Sequence, residues 1–175
     1  MTPEIIPEIA LTCADEAAIA GLLARCFDTD FGGRSYFQQR HHLRLVLRDQ
    51  DRVVAHMALC FRDVRLGPNL TPIAGLAEVA THPEYRGRGL AGQLMTIAVD
   101  QAQRMRTEFL LLFGDRPLYA GRGFAAQPNV ITYLTLDGAR TGVVKTGRDG
   151  GLMVLPLGAG IWDGAAPLDL LGHKF

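Results

Sequence analysis

Cysteine is scarce: Cys13, Cys26 and Cys60 are the only three, and they lie far apart. An odd, dispersed set without a C-x-x-C pair predicts neither a disulfide framework nor a metal site, and makes a reducing compartment the default. Charge of either sign is not in excess, since 18 Lys and Arg offset 18 Asp and Glu for a formal net charge of +0. That balance argues against nucleic acid or an anionic membrane as partner. No apolar run is long enough to span a bilayer. The first residues carry Glu4 and Glu8 and no apolar stretch, so no secretory leader is expected and a cytoplasmic location follows by default. Repeats and low-complexity tracts are also absent.

What is present is an ordinary globular composition, 48% hydrophobic and 21% charged over 175 residues. That length suits a single domain, residues 1–175, with a core large enough to need no staples. A first strand is expected over residues 4–11. Residues 14–27 read as a helix with Ile19, Leu22, Leu23 and Cys26 at helical spacing and Thr12 as its cap. Asp28 to Gly33 reads as a loop, and a second short helix is expected over 35–41. Residues 43–48 and 52–64 read as a hairpin turning through Asp49-Gln50-Asp51. A strand is expected over 108–113, a short helix from Pro117 ending at Gly121 or Gly123, and a strand over 130–136. Residues 138–151 read as a polar excursion before a last strand over 152–157, and the tail from Gly158 is weakly patterned.

The chain is organised around residues 73–105. A short apolar strand, 75–81, is stopped by Pro83, which has no amide hydrogen to donate. Arg86-Gly87-Arg88-Gly89-Leu90-Ala91-Gly92 follows, and then an amphipathic helix with Leu94, Ile97 and Ala98 on one stripe. The first amides of a helix lack intrahelical partners and sit at the positive end of its dipole. Gly87, Gly89 and Gly92 remove side chains that would hold a ligand off the backbone, and Arg86 and Arg88 add fork-shaped donors. The chemistry this suits is a diphosphate. Gly87, Gly89 and Gly92 also satisfy the G-x-G-x-x-G of dinucleotide folds. That fingerprint needs an acidic residue about 20 positions on at a strand end, whereas Glu108 begins a strand.

Arg86-x-x-Gly89-x-Ala91 matches the R/Q-x-x-G-x-G/A signature of the GCN5-related N-acetyltransferases, and HPEYRGRGLAGQLM as a whole resembles their central motif. The resemblance implies an α/β protein with a mixed, mostly antiparallel sheet. One parallel strand pair would splay around acyl-CoA, and helices would flank the sheet. It implies acetyl-CoA as co-substrate, with residues 86–92 (Arg86, Gly87, Arg88, Gly89, Leu90, Ala91, Gly92) at the pyrophosphate. Val79, Ala80 and Thr81 would serve the pantetheine arm, and the Val79 amide the oxyanion.

Two groups stand out for proton transfer. Glu78 lies among Leu76, Ala77, Val79 and Ala80, where burial would raise its pKa and suit it as a base, directly or through water. Tyr119 precedes Gly123-Phe124, and by resemblance its phenol protonates the coenzyme sulfur. On the acceptor side, Asp30, Phe31, Glu78 and Trp162 are expected to bind substrate; Trp162 could instead anchor the tail. His41-His42 reads as a surface pair at a helix end, and His56 as a satisfied strand histidine. No cysteine sits in a nucleophile motif, so direct attack by a small-molecule amine is expected. Within the family the chain is similar to aminoglycoside 2′-N-acetyltransferases, on FDTDF at 27–31, VVAHMALCFRDVRL at 53–66 and LMVLP at 152–156. It also looks like bacterial small-molecule acetyltransferases of unassigned substrate and, less closely, nodulation N-acyltransferases with longer acyl donors. A non-catalytic acyl-CoA-binding module is the alternative from another class, and a homodimer is left open.

Overall fold

The computed structural model describes residues 1–137 and 140–175. Gly138, the expected start of the polar excursion, lies outside the described residues. In chain order the strands and helices are β1 (Pro3–Pro7), α1 (Cys13–Cys26), β2 (Leu43–Asp49), β3 (Arg52–Leu66), β4 (Asn69–Thr81), α2 (Leu90–Arg104), β5 (Phe109–Phe113), α3 (Pro117–Ala120), β6 (Ala125–Ala126), β7 (Val130–Asp137), β8 (Arg140–Arg148), β9 (Leu152–Pro156) and β10 (Leu168–Asp169). The chain divides into two units, residues 1–60 with 76–100, and residues 61–75 with 101–175. No helix among the described residues is long and apolar enough to cross a membrane.

In the first unit, β1 pairs antiparallel with β2, and β2 with β3, with a bulge between Leu47 and Arg48. The first strand is shorter than expected, because residues Glu8–Ala10 tighten into a 3-10 turn. Thr12 caps α1 in a reciprocal box: the Asp15 amide donates to its hydroxyl at 3.1 Å, and the Thr12 amide donates back to the Asp15 carboxylate at 3.0 Å. The apolar stripe predicted for α1 is real, with Ile19, Leu22 and Leu23 buried against Phe31, Val46, Val53 and Ala80. Burial of each such side chain is worth roughly 1.5–3 kcal/mol. The helix expected over residues 35–41 does not form. Its backbone groups go to distant partners instead: the Phe37 amide donates to the Glu78 carboxylate at 2.7 Å, and the Ser35 carbonyl accepts from Arg44 at 2.5 Å. A backbone donor spent on a side chain is not available to a helical ladder.

In the second unit the strand order is β6-β9-β5-β4-β3-β10-β7-β8. β4 and β5 run parallel through Ile73↔Phe109, Ala74↔Leu110 and Gly75↔Leu111, the crossover pairing that the sequence order demanded. A second parallel pair, β10 with β7, was not expected. The stretch expected as a polar excursion is largely strand: β8 pairs with β7, although every residue of it is exposed. Its ladder is a backbone matter, helped by the Thr132–Thr146 hydroxyl contact at 3.0 Å, and needs no buried face. The core here is apolar, built from Val64, Ile73, Phe109, Leu111, Val154, Trp162 and Leu168.

Candidate active site

The first unit carries the glycine loop. After β4, His82 accepts from the Glu84 amide at 3.3 Å and Pro83 opens a 3-10 turn. Gly87 and Gly89 then take φ of +76° and +75°, the left-handed region that a side chain resists. A Cβ at either position would touch nothing within 4 Å, so the backbone angle is what requires glycine there. The loop from Arg86 to Gly89 is exposed. α2 starts at Leu90, its first ladder bond running from the Gln93 amide to the Gly89 carbonyl at 3.1 Å. Ala91 and Gly92 therefore belong to the first turn, where amides lack helical partners. Arg86 and Arg88 brace this loop. Arg86 donates to the Thr81 carbonyl at 3.3 Å, and Arg88 donates to the Glu84 carbonyl at 3.0 Å while its guanidinium lies 4.7 Å over the Tyr85 ring. Cys26 also donates to the Thr81 carbonyl, at 3.4 Å, and burial raises its pKa in spite of Arg86 nearby.

Eight residues before this loop, Glu78 interrupts β4 with φ +52°, a left-handed conformation at a non-glycine residue. Its side chain is 7% exposed. One carboxylate oxygen accepts from the Phe37 amide, and His41 Nε2 approaches it to 3.1 Å without hydrogen-bond alignment. The other oxygen meets Arg44 at 3.4 Å. Arg44 is fully buried and donates to Glu8 at 2.9 Å, and Glu8 in turn meets Arg40 at 3.0 Å, which reaches Glu16 at 2.6 Å. Charges thus alternate from helix α1 into the interior. The Glu78 main-chain carbonyl accepts from His56 Nδ1 at 2.9 Å.

Burial acts to raise the Glu78 pKa, but the neighbouring His41 and His56 and the Phe37 amide outweigh it, and the group is held below 4.5. The expectation of a raised pKa, drawn from apolar sequence neighbours, is therefore corrected: the partners that set it come from far along the chain. His56 shows the opposite balance. Complete burial depresses its pKa to about 4, so the ring is neutral near pH 7. Since a carbonyl only accepts, its proton sits on Nδ1, and Nε2 is buried without a partner among the described residues. His41 is buried beside Glu78 and ends no helix, contrary to the surface pair expected.

Of the other first-unit candidates, Asp30 is exposed and accepts from the Gly32 amide at 2.7 Å, closing a turn. Phe31 is buried between Phe27 and Phe37, with ring centroids at 5.5 and 5.6 Å. Ala80 shares its cluster, Val79 is half-buried next to Glu78, and Thr81 gives its carbonyl to Cys26 and Arg86.

The second unit holds Tyr119 and Trp162. Pro117 starts the short helix α3 and Gly121 closes it, as expected. Tyr119 is buried with its ring edge-on to Phe124 at 6.0 Å, and Gly114 allows the chain past it, since a Cβ there would lie 3.1 Å from the ring. Burial raises the Tyr119 pKa above 10, so the phenol is a proton donor near neutrality. Trp162 is a core residue: it stacks edge-on with Phe109 at 5.1 Å and donates to Asn129 at 2.9 Å. That geometry fits the anchoring alternative offered by the sequence: the ring is packed on one side and bonded through its only donor.

Against this geometry, the acetyltransferase (GNAT) domain profile matches residues 9–126. The chain belongs to the GNAT acetyltransferase family. This acetyltransferase is 30% identical over 115 residues to the uncharacterized N-acetyltransferase YhbS of Escherichia coli K12, a match covering 63% of the chain and 68% of YhbS. The crystal structure of E. coli YhbS in complex with CoA superposes with a TM-score of 0.65 at 22% identity, over 95% of this chain and 88% of that one. A Brucella melitensis GNAT acetyltransferase in complex with acetyl-CoA gives 0.59 at 20% identity, over 95% of each chain. The residues that sequence reasoning missed are the partners of Glu78 rather than Glu78 itself. Arg44 carried a signal, an arginine inside the otherwise apolar run LRLVL, which a strand accepts only if the charge is paired.

Proposed function

We propose that the protein transfers the acetyl group of acetyl-CoA to the amine of a small molecule by direct attack. The observation that carries this reading is the exposed loop whose left-handed glycines, Gly87 and Gly89, lead into the first turn of α2. Amides of residues 87–92 fit a pyrophosphate there, with Arg86 and Arg88 at its flank. The CoA and acetyl-CoA complexes of the two GNAT structures support the choice of ligand.

In the reaction, the amine lone pair attacks the thioester carbonyl carbon, the carbonyl oxygen takes up negative charge, and the C–S bond then breaks. The Val79 amide donates to that oxygen, and Val79, Ala80 and Thr81 offer main-chain groups to the pantetheine arm. Tyr119, kept protonated by burial, gives its proton to the departing thiolate. Glu78 stays ionised and serves as a fixed negative charge that favours approach of a cationic amine; the ammonium gives one proton to water before its lone pair can attack, the adduct gives a second, and solvent returns a proton to Tyr119. Asp30, exposed on the loop after α1, is assigned to the acceptor side, with the buried Phe31 ring packed behind it. With its thiol pKa raised, Cys26 is unsuited to carry an acyl group, which supports direct attack.

Titrating acetyl-CoA in a calorimeter and screening small amines by thiol release tests the reading. Tyr119→Phe is expected to lower kcat by ~10²-fold or more while leaving acetyl-CoA affinity within a few-fold. Unchanged turnover removes Tyr119 from the mechanism, and absence of binding heat removes the function.

A further inference from the structure

We infer that His56 is a positioning residue: by donating from Nδ1 to the Glu78 carbonyl it aims the Val79 amide at the thioester oxygen. The inference rests on the proposed role of that amide, and goes beyond it by naming what fixes its direction.

Three observations combine. Glu78 is a non-glycine residue at φ +52°, in the middle of a strand whose neighbours are extended. Such a conformation disfavours any residue with a Cβ and persists only when the surroundings hold it. His56 Nδ1 lies 2.9 Å from the Glu78 carbonyl oxygen, on the neighbouring strand β3, where His56 is itself fixed opposite Val46. The ring is fully buried, so this bond does not compete with solvent.

The geometry of the peptide unit supplies the rest. The Glu78 carbonyl and the Val79 amide belong to one planar trans peptide, in which C=O and N–H point in opposite directions. Holding the oxygen toward His56 holds the Val79 N–H away from it. The residues expected to matter at this point of β4 are thus set from behind by a fully buried side chain. An oxyanion donor is worth most when its direction is fixed before the charge develops, and a misplacement of about 1 Å can cost ~10²-fold.

Asparagine places an amide N–H near the position of Nδ1, and leucine removes the donor while filling the space. His56→Leu is expected to bind acetyl-CoA within a few-fold of wild type and to lose ~10- to 100-fold in kcat. His56→Asn should recover most of that loss, which a purely packing role would not allow. Equal kcat in His56→Leu and wild type overturns the inference, as does a His56→Asn variant no faster than His56→Leu. Should the variants fail to fold, long-range proton–nitrogen NMR on the wild type decides. A neutral His56 ring protonated on Nδ1 supports the inference, and protonation on Nε2 alone overturns it. Wild type that binds no acetyl-CoA would instead sink the proposed function, an outcome separate from normal wild-type turnover with an unaffected His56→Leu.

Discussion

Around Glu78 the first unit buries Arg44, His41 and His56, whereas the second buries Phe109, Leu111, Val154 and Trp162 with neutral polar groups among them, such as the Trp162–Asn129 pair and Thr107. Both interiors exclude water, but by different means. Apolar packing is non-directional and survives a change in protonation. An interior of alternating charges is held by specific pairs, and losing one member strands the other. The unit carrying the strained residue and the glycine loop is the one that accepts this fragility, as expected where direction matters more than stability.

The comparison breaks most visibly at Arg44. Arg44→Met leaves both Glu8 and Glu78 without their buried cation and is expected to cost about 3–5 kcal/mol in urea unfolding. Phe109→Ala in the second unit should cost a similar ~3–5 kcal/mol, by leaving a cavity. The two losses separate on a pH series. Phe109→Ala should lower stability by the same amount from pH 8 to pH 3, whereas the Arg44→Met loss should shrink as pH falls and the stranded Glu78 takes up a proton, which in wild type happens only below 4.5. If both deficits run parallel across pH, the contrast between the two interiors is wrong.

Wild-type stability should itself fall on acidification. The unfolded chain takes up a proton at His56 near pH 6.5, while the folded protein resists until about pH 4. Stability contributed by the neutral ring is present above pH 6.5 and lost as pH falls toward 4, a change of roughly 3 kcal/mol. Glu78, held below 4.5, adds a further loss beneath that value. His56→Asn should flatten the upper part of the curve. In the second unit, Trp162→Phe keeps an aromatic ring but removes the N–H donor and strands the buried Asn129 oxygen, for ~1–3 kcal/mol without a pH signature. Smallest is Thr12→Ala, which removes the α1 cap at about 1 kcal/mol and should leave both interiors untouched.

Features of the fold that follow from local chemistry were legible in the sequence. Thr12, the Ile19–Leu23 stripe, Pro83 before the loop and Pro117 at the head of α3 each act within a few residues, and each does what its type predicts. The R-x-x-G-x-A loop was legible for the same reason. What stayed hidden depends on partners distant in the chain. β10 is two residues long and exists through pairing with β3 and β7. β8 has no buried face to give it a pattern. Glu78 looked like a carboxylate in apolar surroundings because its sequence neighbours are apolar, while Phe37 and Arg44 lie 41 and 34 residues away. Nothing in the letter at position 78 marks a left-handed backbone, since glycine is its usual sign.

The alternating series Glu16, Arg40, Glu8, Arg44, Glu78 has one end wet and the other dry: Arg40 is 54% exposed and Arg44 is 0% exposed. Dissolved electrolyte reaches only the outer members, where mobile ions compete for each charge, and leaves the inner ones to one another. The series is thus a graded fastening whose outer links loosen in brine while the innermost stay shut. Through Phe37 and Ser35, those innermost links keep the segment after α1 tied to the bend in β4 at any ionic strength the protein survives.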